Sequence, residues 1–117
     1  PEIARVLHPG LETDPGHAIW KRDFSGASGL FSIVLKPVRQ EAVDALLDTV
    51  TLFGMGYSWG GFESLILPAQ VGLAQAGEFN SMRKFGVPST LVRLSLGLEN
   101  ADDLWADMSA ALATSRN

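Results

Sequence analysis

The chain has 117 residues, of which 46% are hydrophobic and 19% are charged, and it contains no cysteine. This length and composition predict one globular domain with its own hydrophobic core, and they exclude a small secreted scaffold built on disulfides. Nine Lys and Arg against 13 Asp and Glu give a net charge of -4, and the basic residues are scattered. Its apolar stretches are far shorter than the ~18 residues of a membrane span. We therefore expect neither a nucleic-acid nor a membrane partner.

The first half of the chain predicts two strands and two helices. An edge strand is expected near Ile3–Leu7, and a short helix from Pro15 to Arg22, with Asp14 as its N-cap. Leu30–Lys36 alternates with a period of two and predicts a strand, which Pro37 ends. Gln40–Val50 has apolar residues at i, i+3, i+4 and i+7, the pattern of an amphipathic helix.

The second half predicts three further strands and a closing helix. A short strand is expected near Thr51–Phe53, a second over Glu63–Leu67 and a third over Thr90–Leu96. The helix runs from Ala101 to Ala113, with Asn100 as N-cap and an apolar stripe of Leu104, Met108 and Leu112 widened by Trp105. Between the second and third of these strands, Val71–Ser89 lacks periodicity and predicts a long irregular connection with one helical turn.

These elements predict an α/β (α+β) fold, a small mainly antiparallel sheet with helices packed on one face. Alternation in the strand Thr90–Leu96 directs Val92 and Leu94 toward the helices and Arg93 toward the opposite face. On that opposite face we also expect exposed apolar surface from Leu91 and parts of Phe31, Ile33 and Leu35.

One segment suits a ligand pocket. Gly54, Gly56, Gly60 and Gly61 surround Tyr57, Ser58 and Trp59, and such glycines let the backbone adopt positive φ and approach another surface. The alternative is a tight turn in which Trp59 is a core residue, and the residues alone do not decide between the two.

Arg93 also allows two interpretations, a carboxylate-binding guanidinium or a solvated charge, and the residues alone favour the solvated charge. No metal site is expected, because His8 and His17 lack ligand partners at metal-binding spacing.

Four ordered blocks of the chain carry a resemblance to a known family: RVLHP (Arg5–Pro9), HAIWKRDFSGASGLFS (His17–Ser32), FGMGYSWGGFESLILP (Phe53–Pro68) and LVRLSLGLENADDL (Leu91–Leu104). With these blocks the chain resembles the C-terminal domain of the Cys/Met-metabolism family of pyridoxal-phosphate enzymes, which have fold-type I. Trp59 is typical of the β-lyase branch, since related γ-synthases and γ-lyases have leucine there.

The resemblance implies that Arg93 binds the substrate α-carboxylate and that Tyr57, Ser58 and Trp59 line the active-site wall. It implies β-elimination of cystathionine, or a related thioether, to homocysteine, pyruvate and ammonia, a step of transsulfuration and methionine biosynthesis. The cofactor would be pyridoxal 5'-phosphate, acting as an electron sink.

The family's Schiff-base lysine belongs to the larger N-terminal domain, and Lys21, Lys36 and Lys84 do not lie in its motif. We therefore expect residues 1–117 to be a single C-terminal domain, inactive alone, with the N-terminal domain as partner in a cytoplasmic homotetramer. The chain also begins without Met inside a structured segment, which favours a fragment of something longer. The alternative is a small amino-acid-binding or regulatory module without catalysis of its own.

Overall fold

A computed structural model describes residues 2–75 and 77–116. In chain order, its elements are β1 (Ile3–Leu7), α1 (His17–Asp23), β2 (Leu30–Leu35), α2 (Gln40–Thr49), β3 (Gly54–Met55), β4 (Leu65–Pro68), α3 (Ala69–Leu73), α4 (Ser81–Lys84), β5 (Leu91–Ser95) and α5 (Ala101–Thr114).

The strands of the described residues form one five-stranded sheet in the order β1-β2-β5-β4-β3. The pairs β1–β2, β2–β5 and β4–β5 are antiparallel, whereas β3–β4 is parallel. Strand β5 lies in the middle, and its Arg93 has Ser32 of β2 and Leu67 of β4 as its neighbours in register. The α+β class and the mainly antiparallel sheet are confirmed.

Helices α2 and α5 pack on one face of this sheet and form the core with it. Val92 and Leu94 of β5 are buried there, as the alternation predicted, and Val43 and Leu46 of α2 meet them with almost no exposed area. The core also contains Phe53, Ile66, Leu104, Met108, Ala111 and Leu112.

Helix α5 begins where the sequence predicted. The Asn100 side chain accepts hydrogen bonds from the backbone N–H of Asp102 and Asp103, which are otherwise without partners in the first turn. Trp105, however, is 66% exposed, so it does not widen the buried stripe as predicted. No helix within the described ranges is long and apolar enough to cross a membrane.

Three boundaries differ from the prediction because side chains accept the backbone N–H groups there, one of them within a turn and two from distant parts of the chain. The Asp14 carboxylate accepts the N–H of Gly16 in a turn, so α1 begins only at His17. The backbone N–H groups of Thr51 and Leu52 donate hydrogen bonds to the side chain of Asp107. The short strand β3 therefore lies at Gly54–Met55, directly after the predicted Thr51–Phe53.

Strand β4 also begins later than predicted, because the Ser64 N–H is donated to Glu99 rather than to a neighbouring strand. Pro68 is its last residue, a place where a missing N–H is tolerated.

The opposite face of the sheet differs from the prediction in two ways. Ile33 and Leu35 are 3% and 2% exposed and lie in the core on the helix side, and Phe31 packs against the same core. The register explains this, because it pairs Ile33 with Val92 and Phe31 with Leu94. The segment predicted as irregular contains two short helices, α3 and α4, which border a cavity over the Arg93 face.

Candidate functional site

The glycine-rich segment forms a loop, residues 56–62, between β3 and β4; we call it the aromatic loop. Its Tyr57, Trp59 and Phe62 are 55%, 63% and 76% exposed. Gly60 has a φ of +77°, a left-handed conformation that favours glycine. Trp59 is therefore not a core residue, and the tight-turn alternative based on a buried Trp59 is wrong.

Arg93 contacts this loop instead of extending into solvent. Its Nη2 donates to the backbone carbonyl of Tyr57 at 2.5 Å, and longer contacts reach the carbonyls of Gly56 at 3.4 Å and Ser58 at 3.5 Å. A guanidinium has five N–H donors, so Arg93 can hold the loop and still bind a carboxylate. Arg93 is thus half-buried and hydrogen-bonded to the loop, and its role in binding a carboxylate stays a prediction.

A cavity of about 510 Å³ lies over this face of the sheet. Arg93, Ser32, Leu67 and Leu91 form its floor. Tyr57 forms part of its wall, together with residues of and around α3 and α4: Pro68, Ala69, Gly72, Gln75, Gly77, Phe79, Asn80, Ser81, Met82 and Val87. The cavity thus combines apolar walls with one cation and a few polar groups, which is the usual composition of a small-molecule site.

The four predicted site residues are not equivalent in this structure. Arg93 and Tyr57 both line the cavity, and Ser58 reaches Arg93 through its carbonyl. Trp59 lies on the same loop but outside the lining. Gln75, which sequence analysis did not single out, donates to the Tyr57 hydroxyl at 3.4 Å.

Sequence analysis also missed a polar pair beneath the loop. The fully buried Ser64 donates its N–H and its hydroxyl to the two carboxylate oxygens of Glu99, at 2.9 and 2.8 Å. The alternation of β4 places Ser64 on the same buried side as Ile66. A serine at a buried position needs a hydrogen-bond partner, which is the signal that could have identified it.

These hydrogen bonds lower the pKa of Glu99. The Ser64 N–H, followed by the Ser64 hydroxyl, stabilises the charged carboxylate and lowers the pKa of Glu99, against a smaller opposing effect of desolvation. Glu99 therefore stays ionised at neutral pH and keeps both acceptor oxygens.

The lysines of the chain do not line the cavity. Lys21, Lys36 and Lys84 are exposed, and none of them lines it. Over residues 2–75 and 77–116, no group of three or more His, Asp or Glu side chains could hold a metal ion. What this chain offers a ligand is a cation, aromatic surface and backbone carbonyls.

Comparison with known proteins identifies the family of the chain. The model of the Cys/Met metabolism PLP-dependent enzymes matches residues 1–113. The chain belongs to this family of pyridoxal-phosphate enzymes.

Two curated relatives and one solved structure are among the most similar proteins. Cystathionine beta-lyase of Salmonella typhimurium is 48% identical over 114 residues, which are 97% of this chain and 28% of the relative. Cystathionine beta-lyase MetC of Escherichia coli matches with the same identity and coverage. The crystal structure of cystathionine gamma synthase from Xanthomonas oryzae pv. oryzae with cystathionine superposes with a TM-score of 0.86 at 34% identity.

That superposition covers 97% of this chain and 29% of the synthase. The chain thus spans between a quarter and a third of the length of the relatives it matches. These relatives thus include two beta-lyases and one gamma synthase of the same family.

Proposed function

We propose that the chain is the C-terminal domain of a PLP-dependent carbon–sulfur lyase that cleaves cystathionine by β-elimination. The overall reaction converts cystathionine and water into homocysteine, pyruvate and ammonia. Bound pyridoxal phosphate supplies the electron sink for this chemistry. The role of this chain is to bind and orient the amino-acid end of the substrate.

The observation that carries the proposal is the placement of Arg93. It projects from the middle strand of the sheet toward a cavity of about 510 Å³, and backbone carbonyls of the aromatic loop hold its Nη2. Strand geometry and these carbonyls fix the guanidinium before substrate arrives. A preoriented fork can bind a carboxylate through two parallel hydrogen bonds, which suits the α-carboxylate of an amino acid.

Tyr57, Ser58 and Trp59 form the wall beside this carboxylate site in the proposal. Gln75 supports Tyr57 through its hydroxyl, so the ring has a defined position at the cavity edge. Trp59 is exposed and available to the rest of the site. An indole combines a large rigid face with one N–H donor, so it can narrow the cleft beside the substrate.

The identity of residue 59 supports β- over γ-elimination. The beta-lyases of Salmonella typhimurium and Escherichia coli are 48% identical to this chain, against 34% for the gamma synthase. Trp59 agrees with that ranking, because the family resemblance implies leucine at this place in the γ-synthases and γ-lyases.

The test is product analysis with the full-length protein that carries this chain. Incubated with cystathionine, it should release pyruvate and homocysteine in equal amounts. Release of 2-oxobutyrate and cysteine would instead indicate γ-elimination. Absence of both cleavages from a folded, cofactor-loaded protein would contradict the proposal and favour a binding module.

We further propose that catalysis needs the N-terminal domain of the same enzyme, in a cytoplasmic homotetramer. This division is supported because Lys21, Lys36 and Lys84 are exposed and none of them lines the cavity. The 117-residue chain mixed with pyridoxal phosphate and cystathionine should form no pyruvate. A stoichiometric visible absorption band that disappears when one of these lysines is replaced by alanine would contradict the division.

A further inference from the structure

The aromatic loop is held by polar contacts and not by apolar burial. Its three aromatic side chains keep more than half of their area exposed, so packing contributes little to its position. The first half of the loop is held by Arg93, through the carbonyls of residues 56–58. The second half makes one long contact of its own, from the Gly60 N–H to the Ser95 hydroxyl at 3.4 Å, and needs a second attachment.

Ser64 and Glu99 supply that second attachment. The Ser64 hydroxyl donates to Glu99 and accepts the N–H of Gly97 at 2.8 Å, so both hydroxyl functions are used. The Ser64 N–H donates to the other Glu99 oxygen. Hydrogen bonds to an ionised acceptor are stronger than neutral ones, and the residues joined here are 35 positions apart in the chain.

The backbone fits closely at the same place. The Leu98 N–H donates to the Phe62 carbonyl at 2.7 Å. A Cβ added at Gly97 would lie 2.2 Å from that carbonyl oxygen and 2.5 Å from the carbonyl carbon of Glu63. Only glycine therefore allows residues 62–64 to lie this close to residues 97–99.

From these contacts we infer that Ser64 and Glu99 are positioning residues, which set the aromatic loop so that its carbonyls orient Arg93 for the substrate carboxylate. The inference rests on the proposed function for the identity of that carboxylate. The structural part does not depend on it: a change at the Ser64–Glu99 pair should weaken the hydrogen bonds of Leu98 and Arg93 to the loop.

The structural part is tested by residue-resolved proton exchange on the full-length protein that carries this chain. Ser64→Ala removes the hydroxyl, and Glu99→Gln removes the charge while nearly keeping the shape. The readouts are the Leu98 amide and the Arg93 guanidinium protons, because neither group is hydrogen-bonded to the altered atoms. Ser64→Ala removes two hydrogen bonds, to Glu99 and from Gly97. We expect exchange at least about tenfold faster in this variant, since one lost hydrogen bond represents roughly that factor, and a smaller change in Glu99→Gln.

Asp107→Asn is the matched control. Asp107 is also a carboxylate that accepts a hydroxyl and backbone N–H groups from a loop, those of Thr51 and Leu52, but on the helix side of the sheet. It should loosen its own loop and leave the Leu98 and Arg93 protons unchanged. Gly97→Ala is a steric variant that keeps every charge, and it should accelerate exchange at Leu98 as Ser64→Ala does.

The functional part is tested by steady-state kinetics of the full-length protein with cystathionine. Ser64→Ala and Glu99→Gln should raise KM more than they lower kcat, by about fivefold or more in KM for Ser64→Ala. Asp107→Asn should leave KM unchanged. The split between KM and kcat separates a loosened carboxylate site from a general loss of folded enzyme.

Two results would overturn the inference. Unchanged exchange at Leu98 and Arg93 in Ser64→Ala and Glu99→Gln would show that the pair does not position the loop. Unchanged KM in these variants of an active enzyme would break the link to substrate binding. A wild-type protein that cleaves no cystathionine would contradict the proposed function alone, since the exchange experiment still decides the structural part.

Discussion

Arg93 shows how a strand fixes the position of a single side chain. Its Cα is fixed by ladders to β2 and β4, and its Nη2 is held by the loop carbonyls. Arg93→Ala in the full-length protein should therefore lower kcat/KM for cystathionine by about 10- to 100-fold, the equivalent of roughly 1.5–3 kcal/mol for hydrogen bonds to a charged group.

Arg93→Lys is the control for charge. An ammonium keeps the charge but lacks the planar fork, so it should recover only a small part of kcat/KM. Thermal unfolding of all three proteins should show that the loss is in binding rather than in folding. A near-normal kcat/KM for Arg93→Ala would place the carboxylate elsewhere.

Trp59 should matter for the substrate and hardly at all for the fold. Because its side chain is 63% exposed, Trp59→Leu should change the free energy of unfolding by no more than about 0.5 kcal/mol, as is usual for surface substitutions. In the full-length protein the same change should leave pyridoxal phosphate bound and reduce β-elimination of cystathionine.

The matched control is Leu46→Ala. Leu46 has no exposed area, so truncation should cost about 2–5 kcal/mol of unfolding free energy. Denaturant unfolding and kinetics on both variants separate the two roles. A large loss of stability in Trp59→Leu, with normal kcat/KM in the folded fraction, would contradict the active-site assignment.

At the scale of elements, two loops are attached to the domain by carboxylates. Glu99 holds the start of β4 through Ser64, and Asp107 of α5 holds the start of β3 through Thr51 and Leu52. Partial burial raises the pKa of Asp107, but the hydrogen bonds from Leu52 and Thr51 together outweigh it, so that the net effect lowers this pKa. The pKa of Glu99 is lowered by Ser64.

Both carboxylates should therefore make the domain sensitive to acid. A pKa that is lower in the folded state means stability that is fully present above the unfolded value, about 3.9 for Asp and 4.3 for Glu, and lost as the pH falls through the folded value. Urea unfolding at a series of pH values should show stability falling below about pH 5. The double variant Glu99→Gln, Asp107→Asn should show a shallower fall.

Some acid sensitivity should remain in that double variant. The pKa of Glu2 and that of Asp23 are also lowered, the first mainly by a backbone hydrogen bond and the second by the side chain of Arg22. An unchanged dependence on pH in the double variant would show that neither Glu99 nor Asp107 contributes.

Elements whose signals are local were predictable from the sequence. The stripe of α2, the Asn100 cap of α5 and the alternation that sets the side of Arg93 all lie within a few residues. The start of β3, the buried Ser64–Glu99 pair and the carbonyls that hold Arg93 depend on contacts between residues at least 35 positions apart. Such contacts leave no periodic trace, which is why the partners of Arg93 appeared only in the structure.

At the scale of the whole molecule, large apolar side chains remain exposed on two surfaces. Around the aromatic loop and α4, Phe62, Phe79, Phe85 and Leu98 are each more than three-quarters exposed. On the helix side, a groove of about 360 Å³ is lined by apolar residues of β1, β2 and α5. Exposed large apolar side chains that cluster in this way are typical of surfaces that contact other protein.

The chain on its own should therefore self-associate or bind a hydrophobic dye. A net charge of -4 opposes association only weakly, because charges farther apart than about 8 Å are screened at physiological salt. Size-exclusion chromatography with light scattering, and dye fluorescence, measure the two outcomes. Phe62→Ser with Phe85→Ser should reduce both without lowering the melting temperature, since neither side chain is buried. A clean monomer that binds no dye would show that these surfaces do not drive association, and would weaken the proposal that the chain works together with an N-terminal domain.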